Sequence, residues 1–146
     1  MRMTKLIFPI TPVPQGRPRF ARRGNYVSTY DPPKSKAFKK RIGIMAKTFL
    51  DKNGEQPFEK YVPIEITIDF YIPTLKSFSK KRTAEAEKKY ILPVKRPDLD
   101  NYTKGVLDGL NGVLFHDDGQ IVKMTLNKFY SQTPRIEIEI KEVVMN

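Results

Sequence analysis

The stretch RPDLDNYTKGVLDGLNGVLFHDDGQI, Arg96–Ile121, decides how the rest of the chain is read. From Asp98 to Leu110 its apolar residues, Leu99, Tyr102, Val106, Leu107 and Leu110, recur at helical spacing and predict an amphipathic helix. Asn111-Gly112 ends it. Asp98 and Asp100 fall in the first turn, and Lys104 follows Asp100 at i+4 on the polar face. A second acidic pair, Asp117-Asp118, comes after the helix and just before the next strand. Close-spaced carboxylates need a reason here, because 27 Lys and Arg against 16 Asp and Glu give a formal net charge of +11.

Working outward, Lys5–Ile10 reads as a short strand that Pro9, Pro12 and Pro14 terminate. The Pro-, Gly- and Arg-rich run PVPQGRPRFARRGNYVSTYDPP is an extended loop with a small ribbon about Gly24-Asn25. Asp31 before Pro32-Pro33 reads as the N-cap of a helix from about Lys34 to Leu50. Its apolar face is expected at Ala37, Phe38, Ile42, Ile44, Met45 and Phe49. VPIEITIDFY, Val62–Tyr71, alternates as a half-buried strand. Residues 72–97 form a long basic connection in which SKKRTAEAEKKY is a short exposed helix. Ile121–Tyr130 and Arg135–Val143 are the last two strands. The order β-α-β-α-β-β predicts one α+β domain over residues 1–146, with two main helices on one face of a mixed sheet.

Composition narrows the chemistry. The chain has 146 residues, enough for one domain with a real core. There is no cysteine and one histidine, His116, so disulfides, thiolate metal sites and His-rich zinc sites are excluded. No apolar run approaches the ~20 residues of a membrane span, and the Pro-rich start does not read as a signal peptide; the cytoplasm is the expected location. Residues 1–60 and 72–97 carry the positive excess, whereas residues 98–146 are net acidic. A basic body of this kind suits nucleic acid.

Taken singly, the acids have plain structural uses. Asp98 or Asp100 reads as an N-cap, Asp117-Asp118-Gly119 as a turn, and Lys104 as an ion-pair partner of Asp100 or Asp108. Together they suggest oxygen ligands for a hard ion such as Mg²⁺ or Mn²⁺, provided the chain returns Asp117 and Asp118 toward Asp98 and Asp100. Such an ion activates water and neutralises a phosphodiester transition state, with Lys104 on the phosphate. Arg17, Arg19, Arg22 and Arg23, interleaved with Phe20, Tyr26 and Tyr30, suit contacts to the backbone and bases of DNA. Lys80, Lys81, Arg82, Lys95 and Arg96 add to that surface.

These residues resemble the RusA family of Holliday junction resolvases. The resemblance rests on D-x-D-N with a lysine four residues on, an L-D-x-L-N-G helix end and D-D-x-Q, and on PVPQGRPRF…Y…DP near the start. It spans roughly Pro12 to Lys128. It implies a Mg²⁺-dependent endonuclease, with Mn²⁺ as a substitute, that acts as a homodimer on four-way DNA junctions by symmetric paired nicks in recombination and repair. By position it makes Asp98, Asp100 and Asp118 the metal-binding catalytic acids, Lys104 the functional lysine and Asp117 an auxiliary acid. The 72–97 connection is longer and more basic than in the shortest members. The competing expectation is a non-catalytic protein that binds branched or structured nucleic acid and uses its aspartates as caps and turns.

Overall fold

Alternation of isoleucines builds the centre of the molecule. In a computed structural model, which describes residues 1–16 and 19–143, the strands are β1 (Met3–Phe8), β2 (Arg19–Arg23), β3 (Tyr26–Tyr30), β4 (Ile64–Pro73), β5 (Ile121–Ser131) and β6 (Arg135–Glu142). The helices are α1 (Pro33–Asn53), α2 (Lys80–Glu87) and α3 (Leu99–Leu110), with one 3₁₀ turn at Asp118–Gln120. Four strands form a mixed sheet in the order β1-β6-β4-β5, and β2 and β3 form a separate hairpin. β4 and β5 are parallel, so the chain must cross over between them, and α2 and α3 make that crossover.

Period-two patterning puts Ile64, Ile66, Ile68 and Phe70 on one face of β4. The register sets Ile66 opposite Ile140, Ile68 opposite Ile138 and Phe70 opposite Ile136. Leu6 and Phe8 of β1 extend the row, and all are buried. α1 and α3 cover this face with Phe38, Ile42, Ala46 and Leu50 and with Tyr102, Val106 and Leu110. The α+β class, the mixed sheet and the two covering helices are as expected. The expected short ribbon is β2–β3, turning at Gly24 with φ +62°.

Several details differ from expectation for local reasons. α1 buries the line Ser35, Phe38, Ile42, Ala46 and Leu50, while Ala37 and Ile44 face solvent. Ile44 lies about 200° round the helix from Ile42, so one face cannot hold both. Asp31 is not the N-cap; Pro32 occupies that position without a side-chain cap bond. The β4 ladder begins at Ile64 rather than Val62, because Pro63 lacks an N–H and the Val62 carbonyl accepts from Gln120 instead.

Gly109 faces α1 of the same chain. A Cβ there would lie 2.8 Å from Ile42 Cβ and from the Lys39 carbonyl oxygen. The glycine therefore lets α1 and α3 approach within one chain. Among the described residues, no helix is long and apolar enough to cross a membrane.

Candidate functional site

α3 runs antiparallel to β5, so its first turn lies at the C-terminal end of that strand. The Lys128 ammonium, on β5, donates to the carbonyls of Lys95 and Pro97 at 3.0 Å each. That clamps the bends leading into α3. Asp98 is the N-cap, its Oδ1 accepting from the Asn101 N–H at 3.0 Å. Asp100 in the first turn and Lys104 one turn later are exposed. Asp108, the next residue on that face, pairs with Lys39 of α1 at 3.1 Å rather than with Lys104.

The second acidic pair sits at the other end. Asp117 caps the 3₁₀ turn by accepting from the Gly119 N–H at 3.0 Å. The Asp118 N–H donates to Oδ1 of Asn111, the residue that ends α3, at 3.1 Å. Gln120 locks the turn in place. Its Oε1 accepts from the N–H groups of His116 and Asp117, and its Nε2 donates to the carbonyls of Glu59 and Val62 at 2.7 and 3.0 Å. The Asp118 side chain is exposed.

The expected convergence of the two acidic pairs within one chain is therefore corrected. Twelve residues of helix separate them by about 18 Å. β5 gives the same answer, since Lys128 and Ile121 lie about 23 Å apart along a strand. Among the described residues, no three His, Cys, Asp or Glu side chains are gathered closely enough to hold a metal ion. The carboxylate oxygens are the right donors for a hard cation, but a single chain presents them as two separate half-sets.

The basic elements collect at the α3 N-terminal end. Lys95 and Arg96 are exposed just before Asp98. Lys80, Lys81 and Arg82 lie exposed on α2. That helix is tied to the end of β5 and the residue beyond it, because the Glu87 carboxylate accepts from the Ser131 hydroxyl and the Gln132 N–H, both at 2.9 Å. The β2–β3 hairpin is rooted beside α3 as well. The Gln15 N–H donates to the Asn101 carbonyl at 3.0 Å, and the Gly16 N–H to Ser35 Oγ at 2.8 Å. At its other root Asp31 accepts from Lys39 at 2.8 Å. Arg22 is exposed on this hairpin; Arg19 and Arg23 are placed in β2 by backbone, and Arg17 lies outside the described residues.

Lys39 bridges Asp31 and Asp108 with a side chain only 20% exposed. The Lys39 hydrogen bond, with its charge and weaker help from Gln15 and Lys104, outweighs desolvation and holds the Asp31 carboxyl below its ordinary value. Burial disfavours the Lys39 charge, but the two carboxylates outweigh it and raise the ammonium.

Residues 9–141 match the family model described as endodeoxyribonuclease RusA. The chain belongs to the RusA family. It is 41% identical over 136 residues to the uncharacterized protein YqaN of Bacillus subtilis (strain 168), covering 90% of this chain and 91% of that one. It is 36% identical over 87 residues to the crossover junction endodeoxyribonuclease rusA of Lactococcus phage r1t, covering 59% of this chain and 60% of that one. RusA membership supports endonuclease action on Holliday junctions. Within the RusA signature, Asn111 and Gln120 stand out as positioning residues that helix periodicity does not reveal. Their signal lay in the motifs, Asn111 in the L-D-x-L-N-G helix end and Gln120 in D-D-x-Q, which do not say what either amide holds. Lys128 had no signal, since its partners are backbone carbonyls more than thirty residues away.

Proposed function

We propose that this RusA-family chain is a divalent-metal-dependent endodeoxyribonuclease that acts as a homodimer and resolves four-way DNA junctions by paired nicks. The observation that carries the reading is the separation of exposed Asp98 and Asp100 from exposed Asp118 by the length of α3. Half-sets at opposite ends of one chain become complete sites when two chains meet about a two-fold axis. Two such sites match the two strands that must be cut. Mg²⁺, or Mn²⁺ in its place, would be held by Asp98 and Asp100 of one chain with Asp118 of another, and supplies an activated water and charge neutralisation at the phosphodiester.

The chain's own residues do the rest. Lys104, on the same face as Asp100, binds the phosphate oxygen on which charge develops. Hydrolysis breaks the bond to the 3′ oxygen and leaves a 5′-phosphate. Asp117 and Gln120 orient Asp118, and Lys128 orients the turn that carries Asp98. Arg17, Arg19, Arg22, Arg23, Lys80, Lys81, Arg82, Lys95 and Arg96 hold the junction arms through their phosphates. The working compartment is the cytoplasm, and the role is in recombination and repair of DNA.

Subunit mixing on a labelled synthetic four-way junction with Mg²⁺, with an EDTA control, tests this. Asp100→Asn and Asp118→Asn are each expected to bind the junction without cutting it. A heterodimer of the two keeps one intact shared site and is expected to nick one strand. If each chain held its whole site, every site in the mixture would carry a substitution and no nick would appear. A binding-only reading draws on the cap bonds of Asp98 and Asp117; it requires tight junction binding by the unmutated protein with no cleavage under any divalent metal.

A further inference from the structure

Between α2 and α3 the chain carries an apolar ridge that the metal site and the phosphate contacts do not use. Tyr90, Leu92 and Val94 are 75%, 49% and 89% exposed. Between them Ile91 is half-buried and Pro93 buried. That alternation is the pattern of an extended segment with one face tacked down and the other turned out. Isolated exposed apolar residues need no explanation, but three on one face of a short segment, rimmed by charge, mark an interaction surface.

The ridge is held at both ends. Upstream, α2 closes in a Schellman motif, with the Lys89 N–H on the Ala86 carbonyl at 3.0 Å and the Tyr90 N–H on the Glu85 carbonyl at 2.9 Å. Lys89 takes the left-handed position with φ 68°, where glycine is usual. In such a motif the residue at the Tyr90 position commonly packs back onto the helix; here its ring is turned outward. The Lys89 ammonium lies 4.3 Å from the Phe129 ring centroid, and Glu87 holds the neighbouring turn. Downstream, Lys128 clamps the carbonyls of Lys95 and Pro97. Val94 is four residues from Asp98, so about 14 Å at most separates their backbones.

We infer that Tyr90, Leu92 and Val94 form a wedge that packs against unstacked bases at the branch point of the DNA, beside the scissile phosphate. This rests on the junction-cleaving reading above. The rim of Lys88, Lys95 and Arg96 draws in the polyanionic backbone, while the apolar crest has nothing to grip on a closed duplex. Bases freed from their stack offer apolar faces that aromatic and aliphatic side chains cover. The wedge thus supplies preference for branched over linear DNA, and the phosphate contacts supply affinity.

The test uses a four-way junction with 2-aminopurine at the branch point, bound in EDTA at one salt concentration, and a linear duplex with the same label. The full-length protein is expected to raise fluorescence on the junction and not on the duplex. Tyr90→Ser/Val94→Ser, both exposed changes, is expected to keep its thermal midpoint and bind the junction within about threefold. It should lose most of the fluorescence rise and cut about tenfold more slowly with Mg²⁺. A variant that unstacks and cuts like the parent overturns the wedge, as does a parent that binds and cuts without unstacking. A shift of the variant toward monomer overturns it too, in favour of contact between copies. A parent that neither binds nor cuts the junction removes the junction-cleaving reading itself, and the wedge with it.

Discussion

The two ends of α3 are built alike. At each, one aspartate makes a cap bond, Asp98 to the Asn101 N–H and Asp117 to the Gly119 N–H, and both acids of the pair are exposed. At each, one distant side chain ties the acid-bearing turn down through two backbone carbonyls, Lys128 at the first end and Gln120 at the second. What differs is the surround. The Asp98 end lies among Lys95, Arg96 and Lys104, and the hairpin and α2 bring in more cations. The Asp118 end is met by His116, Lys60, Tyr61 and exposed Val122 around an open groove of about 660 Å³. Under the shared-site proposal, one end gathers DNA and the other is brought to it by a second chain.

The largest expected effect breaks that likeness at the exposed acids. Asp100→Asn and Asp118→Asn should each lower junction cleavage by about 10²–10³-fold or more, with thermal stability nearly unchanged. Asp117→Asn, which alters a cap, should leave substantially more activity than Asp118→Asn. Equal losses at Asp117 and Asp118 would contradict the auxiliary role of Asp117.

Gln120→Ala and Lys128→Met sharpen the comparison, since each removes the tie at one end only. Each leaves two backbone carbonyls without that donor, and Gln120→Ala also frees two N–H groups. A loss of about 1–3 kcal/mol in chemical denaturation is expected for each. If Gln120→Ala spares both stability and cleavage, the 3₁₀ turn does not depend on it.

Gly109→Ala probes the helix contact between the ends. Its Cβ would meet Ile42 and the Lys39 carbonyl at 2.8 Å, which should destabilise the fold by about 1–3 kcal/mol in thermal melts. An unchanged midpoint would mean that α1 and α3 separate freely.

The smallest effect concerns the hairpin root. The Asp31 carboxyl sits below its ordinary value because of Lys39. Its contribution is therefore fully present above the unfolded value of about 3.9 and is lost as pH falls through the lower folded value. Asp31→Asn should shrink the fall in stability below about pH 4 relative to the parent. An identical acid limb in both proteins would show that the pair contributes nothing.

The local elements were legible because their causes are local. Isoleucine alternation named β4 and β6, and the stripe from Leu99 to Leu110 named α3. The phase of α1 was less legible, since Ile44 is apolar but stands across the helix from Ile42, and only packing against α3 chooses between them. Of the candidate site, the acid-bearing turns could be read from residue type and order, but not which acid of each pair makes the cap bond. Their separation could not. Seven residues join the end of α3 to Asp118, enough extended chain to fold back toward Asp98, or to stay where the helix ends.

By itself, then, the sequence determined the strands, the amphipathic helix, the basic field and the identity of the acids, because each follows from side-chain chemistry and short-range period. Tertiary structure alone decided that the two acidic pairs stand a helix length apart. The hydrogen bond from the Asp118 N–H to Asn111 and the four made by Gln120 keep the second turn at the far end. Two of those bonds reach Glu59 and Val62, whose nearness to Gln120 exists only once β4 and β5 have paired.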